Sequence, residues 1–311
     1  MGAKSIEYAV VESHEQRIAL EMVLSDLPPG ARGKVLESAA KASSGGLGPM
    51  DALIVARRSG LIVGASWAQP FPGKSASIWP PVLQGAGQSD KVREGLVRLL
   101  CERADAAGVL ISQALFEDEH DPCAGALLAC GFLKLATLDY LTRELSLADA
   151  SLGEGDSADE LAFETYADTT HERFKRVIQR TYQESLDCPG LEGRRSQEEV
   201  LLGYKATGRF DPLSWFLATS EGQDVGVLLT AEHDGLQGEL IYMGLDPTAR
   251  GRRWGDRLVE KAIRSAAEKG LQNLMVAVDC ANEPAKGCYE RFNFRAWAKR
   301  YVYVRWPGGE N

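Results

Sequence analysis

The stretch Glu-Leu-Ile-Tyr-Met-Gly-Leu-Asp-Pro-Thr-Ala-Arg-Gly-Arg-Arg-Trp-Gly, residues 239–255, decides the fold of the second half of the chain. Its apolar beginning predicts a strand that ends at the proline, because proline cannot donate to a sheet. The Gly- and Arg-rich remainder predicts a turn before a helix. One face of that helix is apolar, at Trp254, Leu258, Val259, Ala262, Ile263 and Ala266. Amides at a helix start lack partners and lie at the positive end of the helix dipole, so the turn is a predicted phosphate site.

A second motif, Leu-Met-Val-Ala-Val-Asp-Cys-Ala-Asn-Glu-Pro-Ala-Lys-Gly-Cys-Tyr-Glu-Arg-Phe-Asn-Phe, spans residues 274–294. Together the two motifs resemble the GNAT-type N-acetyltransferase superfamily. That family has Gln/Arg-x-x-Gly-x-Gly/Ala after a strand ending Val-x-Pro, and later Val-x-x-x-Asn-x-x-Ala-x-x-x-Tyr-x-x-x-Gly-Phe. The chain departs from the family's glycines at Arg253 and Asn293. The resemblance covers roughly Phe163 to Val304.

The resemblance implies transfer of an acetyl group from acetyl-CoA to a primary amine of a small molecule, by direct attack in a ternary complex, without a metal. An alkyl amine has a pKa of about 10.4, so a base must remove its proton. Glu239 is the predicted base, acting through water, and Asp279, His233 and Asp246 are weaker alternatives. Tyr289 is the predicted acid toward the coenzyme thiolate. The residues expected to bind the coenzyme are Met243, Leu245, Arg250, Gly251, Arg252, Arg253, Trp254, Gly255 and Asn282.

The amine is expected to approach an acidic loop that follows the first helix of this half. The candidate substrate contacts are Tyr182, Glu184 and Asp187, because carboxylates attract a cation. A backbone N–H between Met243 and Leu245 is expected to stabilise the oxyanion.

The chain carries an internal repeat with a constant offset of 162 residues, as in Gly64 and Gly226 (226−64) or Phe132 and Phe294 (294−132). A gapless offset over this span indicates a tandem duplication. Each copy is predicted to be an α/β (α+β) GNAT-like domain, with a mixed, mostly antiparallel twisted sheet flanked by helices. The predicted boundaries are 1–146 for the first domain, 147–159 for a Gly- and Ser-containing linker, and 160–311 for the catalytic domain.

The first copy lacks the chemistry of the second. At the offset positions, Gly255 becomes Arg93, Asn282 becomes His120 and Tyr289 becomes Leu127, which has no proton to donate. The corresponding turn, Gln-Ser-Asp-Lys-Val-Arg at residues 88–93, adds an aspartate where the pyrophosphate would lie. We therefore expect the first copy to be degenerate, with a structural role, although the nearby Gly85 and Gly87 could form another phosphate cradle.

Composition limits the remaining function classes. The 35 basic and 44 acidic residues give a net charge of −9 without a basic cluster, which disfavours nucleic acid as a partner. The six cysteines have no metal-site or disulfide spacing, and no apolar run reaches membrane-spanning length, so we expect a cytoplasmic monomer or homodimer. Two alternatives to a small-molecule enzyme stay open: a protein or peptide N-acetyltransferase, and a non-catalytic acyl-CoA-binding regulatory module.

Overall fold

The computed structural model describes residues 5–41, 46–85, 89–152 and 161–308. The chain divides into two compact units, residues 1–135 with 301–311 and residues 136–300. The predicted class is confirmed: each unit is a mixed, mostly antiparallel sheet with helices beside it.

The described part of the first unit contains five complete strands, four α-helices and the beginning of a sixth strand. In chain order these are β1 (Ile6–Val10), α1 (Gln16–Val23), α2 (Pro29–Lys41), β2 (Leu53–Arg58), β3 (Leu61–Phe71), β4 (Ser75–Leu83), α3 (Asp90–Ala106), β5 (Ile111–Phe116), α4 (Ala124–Ala129) and β6 (Leu133–Glu144). Strands β1 to β5 are neighbours in chain order, and only β4 and β5 run parallel, across the α3 crossover.

The second unit repeats this plan. Its elements are β7 (Ala162–Thr165), α5 (His171–Tyr182), α6 (Gln197–Lys205), β8 (Trp215–Ser220), β9 (Gln223–His233), β10 (Gln237–Leu245), α7 (Trp254–Glu268), β11 (Asn273–Asp279), α8 (Glu283–Arg291) and β12 (Arg295–Arg305). Strands β10 and β11 are parallel and begin pairing at Gln237 with Asn273, as β4 and β5 do at Ser75 with Ile111. Both differences are again 162 (237−75 and 273−111), so the offset seen in the sequence is also the offset of the ladders.

The closing strand of each repeat pairs within the other compact unit. Residues 138–144 of β6 run antiparallel to β11 in the second unit, and residues 301–305 of β12 run antiparallel to β5 in the first. The compact units therefore differ from the boundaries predicted at 146 and 160. Part of the predicted linker, residues 153–159, lies outside the described residues. The part before it contains a short 3-10 helix, Leu147–Ser151, in which Asp149 pairs with Arg143.

Helices cover both faces of the second unit's sheet. On one face, α7 buries the six residues of its predicted apolar stripe, each no more than 6% exposed. They pack against strand residues that include Leu240, Val276 and Val278. On the other face, α5 buries Phe174, Val177 and Ile178 against β8 and β9. Because α7 covers one face of the sheet and α5 covers the other, an opening between two neighbouring strands can connect the two faces.

Candidate active site

A cavity opens where β10 and β11 stop pairing. Their parallel ladder ends at Leu240 with Val276, although β10 continues to Leu245 and β11 to Asp279. A bulge in β10 between Leu240 and Tyr242 adds to the divergence, since a bulge inserts an unpaired residue and bends its strand. The cavity has a volume of about 640 Å³ and is lined by residues of both strands, α7, α8 and the loop after α5.

The predicted phosphate turn lies at one end of this cavity. Gly251 has a φ of +79° and Arg253 a φ of +61°, and α7 begins directly afterwards without a side-chain cap. In the described chain, the backbone amides of Gly251, Arg252, Arg253 and Gly255 have no recorded acceptor. The left-handed conformation at position 253 explains why the family prefers glycine there, since arginine adopts it at a cost of about 1 kcal/mol. The turn thus presents four open amides at a helix N-terminus.

Eight of the nine predicted coenzyme ligands line the cavity: Met243, Leu245, Arg250, Gly251, Arg253, Trp254, Gly255 and Asn282. The exception is Arg252, whose guanidinium lies 5.0 Å from the centre of the Trp254 ring. Asn282 is the N-cap of α8, where its Oδ1 accepts a hydrogen bond from the Ala285 amide at 3.3 Å. This bond leaves the side-chain NH₂ of Asn282 as a donor for a ligand.

The side chain of Arg250 binds the chain itself. Its guanidinium donates to the carbonyls of Thr181 at 3.1 Å, Gln183 at 2.7 Å and Glu184 at 3.0 Å, and to Leu245 at 3.2 Å. A cation at the C-terminus of a helix neutralises the negative end of its dipole and satisfies its last carbonyls. Arg250 therefore joins the end of α5 to the end of β10, and positions the acidic loop beside the cavity.

Tyr289 lies on α8 with its ring in the cavity wall and is 4% exposed. Burial raises the pKa of its hydroxyl, and the neighbouring Asp187 and Cys288 raise the pKa further because they disfavour a phenolate. The phenol therefore stays protonated at neutral pH. A protonated phenol at this position can give its proton to a thiolate.

Glu239 does not line the cavity. Its Oε2 is 2.6 Å from Nε2 of His233, and this bond raises the pKa of the histidine. Glu239 lies one residue before the end of the β10–β11 ladder. Ile241, two residues on, does line the cavity. The structure thus places Glu239 beside the cavity, and its role as a base remains a prediction.

The three predicted substrate contacts separate in the structure. Glu184 and Asp187 line the cavity, whereas Tyr182 does not. The Tyr182 hydroxyl is 2.6 Å from that of Tyr204, and its ring meets Tyr242 edge-on at 5.4 Å between ring centres. Tyr182 therefore belongs to a tyrosine cluster that supports the bulge in β10.

Among the cavity residues that were not predicted from the sequence are Asp256, Cys288 and Arg291. Asp256 lies in the first turn of α7 and accepts a hydrogen bond from Arg291 Nε and another from the Cys288 thiol, both at 3.1 Å. Arg253 is 3.4 Å from the same carboxylate. The two arginines neutralise Asp256, which would otherwise repel a phosphate at this helix end. The family motif leaves positions 288 and 291 free, so only the spacing along α8 could have indicated them.

The corresponding region of the first unit differs in three ways. Pro80 and Pro81 stand at the offset positions of Tyr242 and Met243, and proline has no N–H to offer an oxyanion. The Cys123 thiol is 3.3 Å from the Pro81 carbonyl, and the Ser89 hydroxyl accepts a hydrogen bond from the Val92 amide, capping α3. Gly87 and Gln88 lie outside the described residues. At the offset positions of the second unit, Met243 has an N–H, and Ala285 and Gly251 have no side-chain group that could make these contacts.

Within the described ranges, no three or more His, Cys, Asp or Glu residues are grouped so as to hold a metal ion. No helix in the same ranges combines the length and the apolar character needed to span a bilayer.

Known proteins resemble this chain both in sequence and in fold. Residues 178–294 match the family described as Acetyltransferase (GNAT) family. Mycothiol acetyltransferase of Thermomonospora curvata is 27% identical over 255 residues, 82% of each chain. Mycothiol acetyltransferase of Gordonia bronchialis is 27% identical over 293 residues, 90% of this chain and 92% of its own length.

Among solved structures, a GCN5-related N-acetyltransferase from Sphaerobacter thermophilus has a TM-score of 0.64 at 15% identity and covers 98% of both chains. A tandem GNAT protein from the clavulanic acid biosynthesis pathway has a TM-score of 0.54 at 11% identity, covering 99% of this chain and all of its own. These two likenesses confirm the fold, including its two-copy plan. The family match and the relatives show that this chain carries, over residues 178–294, a domain of the GNAT acetyltransferase family, and that the protein is an acyltransferase.

Proposed function

We propose that the second unit transfers the acetyl group of acetyl-CoA to a primary amine of a small molecule, by direct attack of the amine on the thioester. One observation carries this proposal: a single cavity extends from the open amides of the phosphate turn to the Tyr289 ring. The turn suits a pyrophosphate, and Tyr289 suits the leaving sulfur. A cavity that joins these two features matches an extended thioester coenzyme.

The donor would be held mostly by backbone groups. The amides of Gly251, Arg252, Arg253 and Gly255 would bind the pyrophosphate, assisted by the positive end of the α7 dipole and by the Arg253 side chain. The Asn282 side-chain amide would bind the peptide-like arm of the coenzyme. Beyond Leu240, β10 has lost its β11 partner, so the backbone edge from Met243 to Leu245 faces the cavity and can bind the thioester carbonyl. A fixed N–H donor there stabilises the oxyanion without reorganisation.

The chain's side chains would move two protons. A carboxylate takes one from the alkylammonium ion, and the free amine attacks the thioester carbon. When the C–S bond breaks, the Tyr289 hydroxyl protonates the departing thiolate and recovers a proton from the new amide nitrogen. The resemblance assigns the first role to Glu239, and the cavity offers Asp187 as a second carboxylate.

The relatives point to an acceptor class. Their name, mycothiol acetyltransferase, describes an acetyl group on mycothiol. The first acceptor to test is therefore mycothiol without its acetyl group, followed by smaller amino sugars and amines. Glu184 and Asp187 give the acceptor side of the cavity a negative charge, which favours a cationic amine.

Calorimetric titration with acetyl-CoA and a thiol-release assay with the acceptor panel test this function. We expect saturable binding, and thiol release that depends on the acceptor. Thiol release only with basic peptides would indicate a peptide N-acetyltransferase. Binding without release from any acceptor would indicate a regulatory module. Absence of binding would contradict the proposal.

A further inference from the structure

We propose that Asp187, in the loop after α5, accepts the proton that the alkylammonium ion of the substrate loses before the amine attacks. The inference rests on the proposed acetyl transfer and assigns a catalytic residue to that same cavity. Asp187 and Tyr289 both line it, so the two proton-transfer roles would lie on facing elements, the α5–α6 loop and α8.

The Asp187 side chain is fixed by the end of β11. Its Oδ1 accepts a hydrogen bond from the Asp279 amide at 3.0 Å, and Asp279 in turn accepts one from the Cys188 amide at 3.4 Å. The Asp187 amide donates to the Ser185 hydroxyl at 3.1 Å. Together with the Arg250 contacts at the start of the loop, these bonds determine the direction of the carboxylate before any ligand binds.

One oxygen of this carboxylate is left for a ligand. Among the described residues, Oδ2 of Asp187 accepts no recorded hydrogen bond, and no lysine or arginine is paired with the side chain. Asp279, Cys188 and the hydroxyls of Tyr182, Tyr242 and Tyr289 are its titratable neighbours. An uncompensated, partly buried carboxylate is costly in a fold and is retained where a cationic ligand completes it.

The environment also makes Asp187 a stronger base than an exposed aspartate. Burial raises its pKa, and the negative charge of Asp279 raises the pKa further, while the hydrogen bond from the Asp279 amide opposes both. A base of higher pKa accepts a proton from an ammonium ion more readily.

The proton balance closes with this assignment. The ammonium ion gives one proton to the Asp187 carboxylate, and the neutral amine forms the C–N bond. The C–S bond then breaks, and the sulfur takes the Tyr289 proton. The amide nitrogen gives its second proton to Tyr289, and the carboxylic acid of Asp187 releases the first to solvent. The net products are the amide, the coenzyme thiol and one proton.

Glu239 is less suited to this role. It lies outside the cavity wall, and His233 occupies one of its oxygens at 2.6 Å. Glu239 and His233 would instead form a hydrogen-bonded pair on the surface beside the cavity. This distinction makes the two carboxylates separable by experiment.

Thiol release, acetyl-CoA affinity and the pH profile of kcat should be measured for Asp187→Asn, Glu239→Gln and Glu192→Gln. Asparagine keeps the acceptor for the Asp279 amide but cannot take the proton. Glu192→Gln is the matched control, since Glu192 lies in the same loop, is exposed and is outside the cavity. The probes are acetyl-CoA with deacetylated mycothiol, glucosamine and ethanolamine.

We expect Asp187→Asn to lower kcat about 10²-fold or more with unchanged acetyl-CoA affinity, and to remove the acidic limb of the pH profile. Glu239→Gln should lose less than about tenfold, and Glu192→Gln should match the wild type. Retention of kcat and of the acidic limb in Asp187→Asn, with a large loss in Glu239→Gln, would overturn the inference and leave the proposed function intact. A wild-type protein that releases no thiol with any amine would overturn both.

Discussion

Asp279 donates its backbone amide to the carboxylate of Asp187 at 3.0 Å. This bond joins the α5–α6 loop to the end of β11, so this wall of the cavity is formed by the fold itself. Because no lysine or arginine among the described residues is paired with the Asp187 carboxylate, the contribution of this side chain to stability should oppose its contribution to activity.

Asp187→Asn should therefore stabilise the protein at neutral pH. The pKa of Asp187 is raised in the folded state, so its ionised form costs stability above that pKa. Below the unfolded value of about 3.9 the cost is absent. Thermal unfolding of wild type and variant from pH 4 to pH 8 should show a melting-temperature advantage for the variant that grows with pH. A melting-temperature difference, variant minus wild type, that is smaller at pH 8 than at pH 4 would contradict this account.

Tyr289→Phe should separate chemistry from binding. The ring packs against Phe294 with 5.6 Å between centres, and the described residues supply no recorded hydrogen bond to its hydroxyl. Phenylalanine should thus keep the packing and remove only the proton. We expect kcat to fall about 10²-fold, with acetyl-CoA affinity in calorimetry within a few-fold of wild type. An unchanged kcat would show that another group, such as water, protonates the thiolate.

Gly244→Ala should destabilise the second unit. A Cβ at this position would lie 2.7 Å from Thr181 Cβ and 2.8 Å from the Tyr242 hydroxyl, closer than van der Waals contact allows. Overpacking of this kind costs about 1–3 kcal/mol, measurable by urea denaturation. Gly125→Ala is the control, because nothing lies within 4 Å of the added methyl group and alanine favours the helix. Equal stability of the two variants would show that the end of β10 can shift to accommodate the added methyl group.

Each chain should bind one acetyl-CoA. In the first unit, Pro81 offers no N–H, the Cys123 thiol bonds its carbonyl, and Ser89 caps α3. In the second unit, the Pro81 position holds Met243, which has an N–H, and the amide of Gly251, at the Ser89 position, has no recorded acceptor among the described residues. Calorimetric titration should therefore give a stoichiometry near one acetyl-CoA per chain. Replacing Arg253 and Arg291 together by alanine should lower the affinity of that one site for acetyl-CoA. Two equivalents of coenzyme per chain would show that the first copy has kept a site.

The fold and the position of the phosphate turn were predictable because they depend on local patterns. The apolar stripe of α7 and the constant offset of 162 residues are properties of the sequence, and the ladders reproduce the offset. The pairing of the closing strands was not predictable, since β6 and β12 have the same pattern whichever unit they join.

The position of a side chain in the cavity wall was predictable where a motif fixes it along the backbone, as at Asn282 and Tyr289. It was less predictable where a side chain selects among several partners. Arg250 binds the carbonyls that end α5, and Glu239 binds His233, whereas the sequence predicted a coenzyme contact for Arg250 and the role of base for Glu239. Arg291 and Asp256 approach only after α7 and α8 pack together. Contacts of this kind depend on tertiary structure and leave no periodic signal.

The central claim is that one cavity in the second unit binds acetyl-CoA and acetylates an amine. The most direct test is to quantify the free coenzyme thiol and the N-acetylated product in the same reaction, run with deacetylated mycothiol and with each other amine of the panel. The account predicts equal amounts of the two in wild type, and little of either in Tyr289→Phe. Thiol formed without any acetylated amine, or neither product despite bound acetyl-CoA, would contradict it.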